Sequence, residues 1–150
     1  MATTAEVIEM LQAAYSMELE TVMNYLANSI NLDGVRAEEI KKSLAADITE
    51  ELGHATQLGN RIKQVGGLVP GSLKVKLGNQ KQPSDITTDV VGVIRAVIEA
   101  EEAACAQYRK IIKATEGEDY VTQDLCIQLL AAEEEHLILF KGFLKEYTQP

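Results

Sequence analysis

The sequence predicts an all-α fold: four long helices in a bundle, with one long crossover between helices two and three. Apolar residues recur at helical three-to-four spacing in four stretches. Two of the connections between these stretches are short, and the third, of roughly twenty residues, can run the length of a helix. With 150 residues and 46% hydrophobic residues, the chain can bury one core. We therefore expect residues 1–150 to form a single domain.

The apolar periodicity sets the expected helix boundaries. The first helix opens with a capping box, in which Thr3 is followed three residues later by Glu6. The second is expected to end at the Gly66-Gly67 pair, a common helix terminator. The four helices are expected over about Thr3–Asn31, Ile40–Val65 and Asp85–Thr115, and from just after Gly117 onwards.

The connection over residues 66–84 is predicted to be the crossover. It contains four of the ten glycines together with Pro70 and Pro83, a composition typical of a loop. Within it the segment Leu73–Leu77 alternates apolar and basic residues. This alternation predicts an extended segment along the bundle, with Lys74 and Lys76 in water.

Charge and cysteine content exclude several classes of protein. The formal net charge of −9 argues against nucleic acid or an anionic membrane as a partner, because both would repel the chain. The first residues form no signal segment, and no run of about 18 apolar residues occurs, so we expect a cytoplasmic protein. Cys105 and Cys126 form no CxxC pair, which excludes a zinc ribbon, and we expect two buried thiols rather than a disulfide.

Six ionisable residues occupy positions where the helical periodicity calls for apolar ones. Buried carboxylates are costly unless they are paired or bind a metal. Glutamate and histidine three residues apart on a helix can point at one centre, and carboxylates with imidazoles suit iron or manganese. The candidate metal ligands are Glu18 on helix one, Glu51 and His54 on helix two, Glu101 on helix three, and Glu133 and His136 on helix four.

The candidate ligands also form an internal repeat. Each half of the chain contains a glutamate, a tyrosine seven residues later (Tyr25 or Tyr108), and then a Glu-x-x-His motif on the next helix. The two tyrosines are expected in the core, where each needs a hydrogen-bond partner. The neighbouring acidic residues lie off the apolar stripes and are expected on solvated faces: Glu20, Glu50, Glu102, Glu134 and Glu135.

Over essentially its whole length the chain resembles the bacterioferritin branch of the ferritin-like superfamily. The resemblance rests on Glu18, Glu101 and the two Glu-x-x-His motifs. It implies that Glu51 and Glu133 bridge two iron ions. It also implies that Glu18 with His54 binds one iron as terminal ligands and that Glu101 with His136 binds the other. Tyr25 matches a tyrosine beside the site in ferritins and is the candidate catalytic side chain.

The resemblance also bears on cofactors and assembly. Two Fe ions per chain are implied, with Mn possible. Leu52 stands where bacterioferritins have a haem-binding methionine, which argues against haem. A homo-oligomeric cage of 12 or 24 subunits is implied; the chain ends at Pro150, about where a fifth helix would begin, which leaves room for the smaller cage of the Dps-like relatives.

The leading functional hypothesis is a ferroxidase that oxidises Fe(II) to Fe(III) with O2 or H2O2 for iron storage or detoxification. An alternative is a di-iron oxidase or hydroxylase acting on an organic substrate, which the apolar residues of the crossover could cover. A third is a non-catalytic bundle whose six residues form buried ion pairs, but such pairs seldom recover their desolvation cost.

Overall fold

The structure, a computed structural model, describes residues 1–149 and confirms the all-α four-helix bundle with one long crossover. Helix α1 spans Thr4–Asn31, α2 spans Glu38–Gln64, α3 spans Val90–Thr115 and α4 spans Tyr120–Thr148. A short 3-10 helix, Val35–Ala37, precedes α2. Helix α1 packs against α2 and α3, and α3 packs against α4. None of these helices, within the described residues, is long and apolar enough to cross a bilayer.

The helix ends follow the expected local chemistry. The Thr3 hydroxyl accepts a hydrogen bond from the Glu6 amide, and the Glu6 carboxylate accepts one from the Thr3 amide, so the predicted capping box is present. Gly66 lies just beyond α2 with a φ of +92°, a left-handed conformation that only glycine adopts without strain.

Helix α3 begins five residues later than the sequence suggested, at Val90 instead of Asp85. The Asp89 side chain accepts a hydrogen bond from the Gly92 amide and so caps this helix. Just before it, the Thr87 carbonyl accepts a hydrogen bond from the Asp33 amide in the α1–α2 connection. The residues from Asp85 to Asp89 therefore join the two connections at this end of the bundle.

The crossover follows α1, but its Leu73–Leu77 segment is not extended as predicted. The amides of Lys74 and Val75 both donate to the Gly71 carbonyl, which forms a turn, and Leu73 is 99% exposed. The path along α1 is instead fixed by polar contacts. Gln12 donates to the Leu68 carbonyl, and the Lys76 amide donates to the Ser16 hydroxyl.

Glu20 completes this attachment and corrects the expectation that it is solvated. Its side chain is 3% exposed, and its two carboxylate oxygens accept the amides of Asn79 at 3.1 Å and Gln80 at 2.8 Å. The Gln80 side chain also bonds the Thr21 hydroxyl. Glu20 is thus an anchor for the crossover.

Two apolar clusters fill the bundle, one toward each end. The first is built around Leu11, Leu58, Ile111 and Leu129. The second is built around residues such as Ile40, Leu44, Ile94 and Phe140. The polar residues predicted to bind metal lie between these clusters along every helix. Cys105 and Cys126 are free and buried, as expected.

Candidate metal centre

The structure brings all six candidate ligands together in the middle of the bundle. Because an α-helix has 3.6 residues per turn, the candidate ligands on each helix lie on the face that points toward the bundle axis. These are Glu18, Glu101 and the two Glu-x-x-His pairs. Every one of these side chains is buried: Glu18, Glu51, His54, Glu101, Glu133 and His136. A cluster of this kind, with four carboxylates and two imidazoles, is stable in a core only if a counter-charge is bound or protons are retained.

The six residues form two overlapping groups of potential ligand atoms. One group contains Glu18 and His54, the other contains Glu101 and His136, and Glu51 and Glu133 belong to both. Within each group, one potential ligand atom per residue lies within 4.8 Å of the others. Two carboxylates shared between two groups are what a pair of bridged metal ions requires.

Each histidine turns its Nδ1 atom toward a glutamate of the opposite Glu-x-x-His motif. The Nδ1 of His54 lies 2.8 Å from Oε1 of Glu133, and the Nδ1 of His136 lies 2.9 Å from Oε1 of Glu51. The two contacts are equivalent under the internal repeat. The repeat in the sequence therefore corresponds to an approximate two-fold symmetry of the centre.

The tyrosines follow the same symmetry, one for each half. The Tyr108 hydroxyl on α3 donates to Oε1 of Glu18 on α1 at 2.6 Å. The Tyr25 hydroxyl on α1 donates to Oε1 of Glu101 on α3. Burial and the adjacent carboxylate hold the pKa of both phenols well above the usual value, so both are neutral hydrogen-bond donors.

Several polar atoms of the centre make no hydrogen bond of suitable geometry among the described residues, although Nδ1 of His136 and Oε1 of Glu51 lie 2.9 Å apart. These are Oε2 of Glu18, Oε1 of Glu51, Oε2 of Glu101 and Nδ1 of His136, together with Oδ2 of Asp47. Buried polar atoms are rarely left unpaired. Four of the five belong to the candidate ligands, so the donor set fits divalent metal ions at this position.

Without metal the centre retains protons. Burial, followed by the neighbouring Glu18, raises the pKa of Glu51 to about 7. Burial likewise raises the pKa of Glu101 to about 8. Burial alone would lower the pKa of His54, but the surrounding carboxylates, Glu133 first, raise it to about 12. Metal binding must displace these protons.

Glu50 and Asp47 support the histidines from outside and were not assigned to the site from the sequence. The Nε2 atom of His136 lies 2.8 Å from one Glu50 oxygen and 3.6 Å from Asp47. The other Glu50 oxygen lies 3.9 Å from Nε2 of His54. Carboxylates on the outer nitrogen commonly fix the orientation of a metal-binding imidazole.

Glu50 is exposed as expected, but its side chain also reaches back to both imidazole rings. Asp47 could have been found, since it lies one helical turn before Glu51 on the same face of α2. The remaining acidic residues of this set, Glu102, Glu134 and Glu135, are exposed as expected.

Comparisons with known proteins agree with this fold. The family model for the ferritin-like domain matches residues 8–149. The chain is 27% identical over 140 residues to the bacterioferritin of Desulfovibrio desulfuricans, covering 92% of this chain and 74% of that protein. It is 30% identical over 132 residues to the bacterial ferritin of Neisseria meningitidis, covering 87% and 80% of the two chains.

A solved structure extends the match to three dimensions. The dodecameric thioferritin of Bacteroides fragilis, a bacterioferritin-related protein, superimposes with a TM-score of 0.89 at 25% identity, covering 98% of this chain and 89% of that one. The chain belongs to the ferritin-like family.

Proposed function

We propose that the chain is a ferroxidase that oxidises Fe(II) to Fe(III) at the buried centre, for iron storage or detoxification. The observation that carries the proposal is the pair of ligand groups that share Glu51 and Glu133. Two iron ions held side by side can each give one electron to a single O2 or H2O2 molecule. The carboxylates offset the charge that the two ions gain.

Each residue has a specific role in this proposal. Glu51 and Glu133 bridge the two ions, while Glu18 with His54 and Glu101 with His136 complete one ion each. The unpaired atoms of Glu18, Glu51, Glu101 and His136 are among the proposed ligand atoms. Glu50 orients the two imidazoles through their outer nitrogens. The set of oxygen and imidazole donors suits iron, and Mn would also be bound.

The relatives support an iron-storing assembly. They are named a bacterioferritin and a bacterial ferritin, and the matching solved structure is a dodecamer. We propose a homo-oligomeric cage for this chain on the same basis, with iron as its cargo and a cytoplasmic location. Leu52 is half exposed on α2 and offers no sulfur ligand, so the proposal includes no haem.

The two grooves closest in character to a substrate site do not support the alternative, oxidation of an organic substrate. A groove of about 750 Å³ lies between α1 and the crossover, beside Leu68 and Val69. A second, of about 470 Å³, lies near Leu52 and Tyr15. Neither groove is lined by any of the six candidate ligands. The geometry therefore favours small substrates, namely iron ions and O2 or H2O2.

The test removes the shared ligands and follows iron oxidation. Glu51→Ala with Glu133→Ala should abolish tight Fe(II) binding and reduce the rate of Fe(III) formation to that of iron in buffer. Glu102→Ala with Glu135→Ala is the matched control, since both of these side chains are exposed, and should behave as wild type. Unchanged iron binding and oxidation in the Glu51/Glu133 variant would refute the proposal.

A further inference from the structure

The carboxylates outside the centre break the two-fold symmetry that its ligands follow. The two Glu-x-x-His motifs are equivalent under the repeat, but the residues before them are not. Glu50 precedes the motif of α2, whereas Ala132 occupies the equivalent place on α4. Asp47, about one turn earlier on α2, corresponds to Leu129, which belongs to the apolar cluster around Leu11. Only α2 therefore places carboxylates in front of its motif.

These outer carboxylates contact one histidine more closely than the other. The Nε2 atom of His136 lies 2.8 Å from Oε2 of Glu50 and 3.6 Å from Oδ1 of Asp47. The Nε2 atom of His54 lies 3.9 Å from Oε1 of Glu50, which is too far for a hydrogen bond. Within residues 1–149, only His136 therefore has a charged hydrogen-bond acceptor at its outer nitrogen.

An outer carboxylate changes how strongly an imidazole binds metal. A metal ion bound at Nδ1 leaves the ring proton on Nε2. A carboxylate that accepts this proton fixes the ring orientation and makes the imidazole a stronger ligand, and its loss commonly weakens metal binding by about 10- to 100-fold. The ligand group that contains His136, called the His136 position below, has this support. The group that contains His54, the His54 position, lacks it.

We propose that Glu50 makes the His136 position bind its metal ion more tightly than the His54 position, so that the His136 position fills first. Asp47 adds a second negative charge on the same side. Both carboxylates act through His136 and are positioning residues. This inference rests on the proposed function, because it assigns an order to the same two ions. The first Fe(II) then stays bound until the second arrives, and both can reduce one oxidant molecule.

Two variants isolate the positions for measurement. Glu18→Ala leaves the His136 position intact, and Glu101→Ala leaves the His54 position intact. The pair is matched, because each variant also removes the acceptor of one buried tyrosine hydroxyl. Co(II) titration followed by absorption measures the affinity for the remaining ion and needs no oxidation. We expect Glu18→Ala to bind Co(II) about tenfold more tightly than Glu101→Ala. Equal affinities or the reverse order would overturn the inference.

Glu50→Gln tests the cause of the difference, because it keeps the size of the side chain and removes its charge. Combined with Glu18→Ala, it should weaken Co(II) binding by about tenfold. Combined with Glu101→Ala, it should have a several-fold smaller effect, since Glu50 makes no hydrogen bond to the remaining histidine. Glu135→Gln is the control, because Glu135 is exposed and belongs to none of the groups of potential ligand atoms. It should leave both affinities unchanged.

The converse variant supplies the missing carboxylate. Ala132→Glu places a glutamate before the motif of α4, where the repeat puts it beside His54. In the Glu101→Ala background this change should tighten Co(II) binding, with circular dichroism to confirm the fold. Unchanged affinity in a folded variant would contradict the role assigned to the outer carboxylates.

The remaining outcomes separate this inference from the proposed function. A wild-type protein that binds neither Co(II) nor Fe(II) would overturn the proposed function. Equal weakening of both positions by Glu50→Gln would overturn the inference alone, because a general loss of structure acts on both. Asp47, Glu50 and His136 also offer ligand atoms within 4.8 Å of one another. A third bound ion that Glu50→Gln abolishes would therefore overturn the positioning role as well.

Discussion

Glu18 and Glu101 differ from Glu51 and Glu133 in how many ligand groups they join. Each of the first pair lies in one group, and each of the second pair lies in both. The loss of a terminal residue and the loss of a shared residue should therefore have different consequences. A metal titration can separate the two, because it counts ions and does not depend on oxidation.

Glu18→Ala should lower the number of tightly bound ions from about two per chain to about one. The group with Glu101 and His136 keeps all its members, whereas the group with His54 loses a carboxylate. The Tyr108 hydroxyl would also lose its partner, at a cost of about 1–3 kcal/mol. Co(II) titration followed by absorption, with circular dichroism to check folding, measures the effect. Retention of both ions would contradict the assignment of Glu18, and Glu102→Ala serves as the control.

The sequence predicted which buried residues come together at the centre better than it predicted the groups that support them. All six candidate ligands interrupt an apolar stripe, so periodicity alone selects them. Glu50 was missed. It was set aside as solvated, although it lies one turn before His54 on α2 and its carboxylate reaches His136. The burial of Glu20 could not be predicted, because Glu20 contacts the crossover. No periodicity in the sequence indicates where the crossover runs along α1.

At the scale of the elements, one carboxylate fastens the crossover to α1. Glu20 accepts two backbone amides from Asn79 and Gln80. Glu20→Ala should destabilise the protein by about 2 kcal/mol, because buried hydrogen bonds to a charged group are lost. Amide exchange should accelerate in residues 76–80 more than in the four helices. Glu9→Ala, an exposed change on the same helix, is the control, and equal exchange in both variants would contradict the anchoring role.

The elements themselves were predictable, and their junctions were less so. Four long stripes and two short connections determine the helix pairing. Helix α3 was placed too early because Ser84, Asp85, Thr87 and Asp89 are all possible N-caps by residue type. Only the contact of Thr87 with Asp33 in the folded chain favours Asp89. The turn at Gly71 depends on hydrogen bonds from the amides of Lys74 and Val75. The alternation of apolar and basic residues does not predict these bonds.

For the whole molecule, the centre makes stability depend on pH and on metal. The pKa of Glu51 rises from 4.5 to about 7 on folding, and that of His54 rises from 6.5 to about 12. The folded metal-free protein therefore holds more protons than the unfolded chain. The contribution of Glu51 to the free energy of unfolding is fully present below about pH 4.5 and is lost as the pH rises through about 7. The stabilising contribution of His54 also decreases as the pH rises above about 6.5.

The metal-free protein should thus lose unfolding free energy as the pH rises from 5 to 8. With Co(II) present the trend should reverse, since metal competes with these protons and binds more tightly as the pH rises. Chemical denaturation at several pH values measures both trends. Glu51→Gln should flatten the metal-free profile. A metal-free protein that gains stability over this range would show that the centre does not retain protons.

The most direct test of an iron-storing ferroxidase is the iron that each chain retains. The protein is loaded aerobically with excess Fe(II) and then separated by gel filtration. We predict Fe(III) that co-elutes with a large assembly, far above the roughly two ions that one bundle site can hold. Retention of only about two ions would support the buried centre but contradict storage. Retention near zero would contradict the central claim that the six buried residues bind iron.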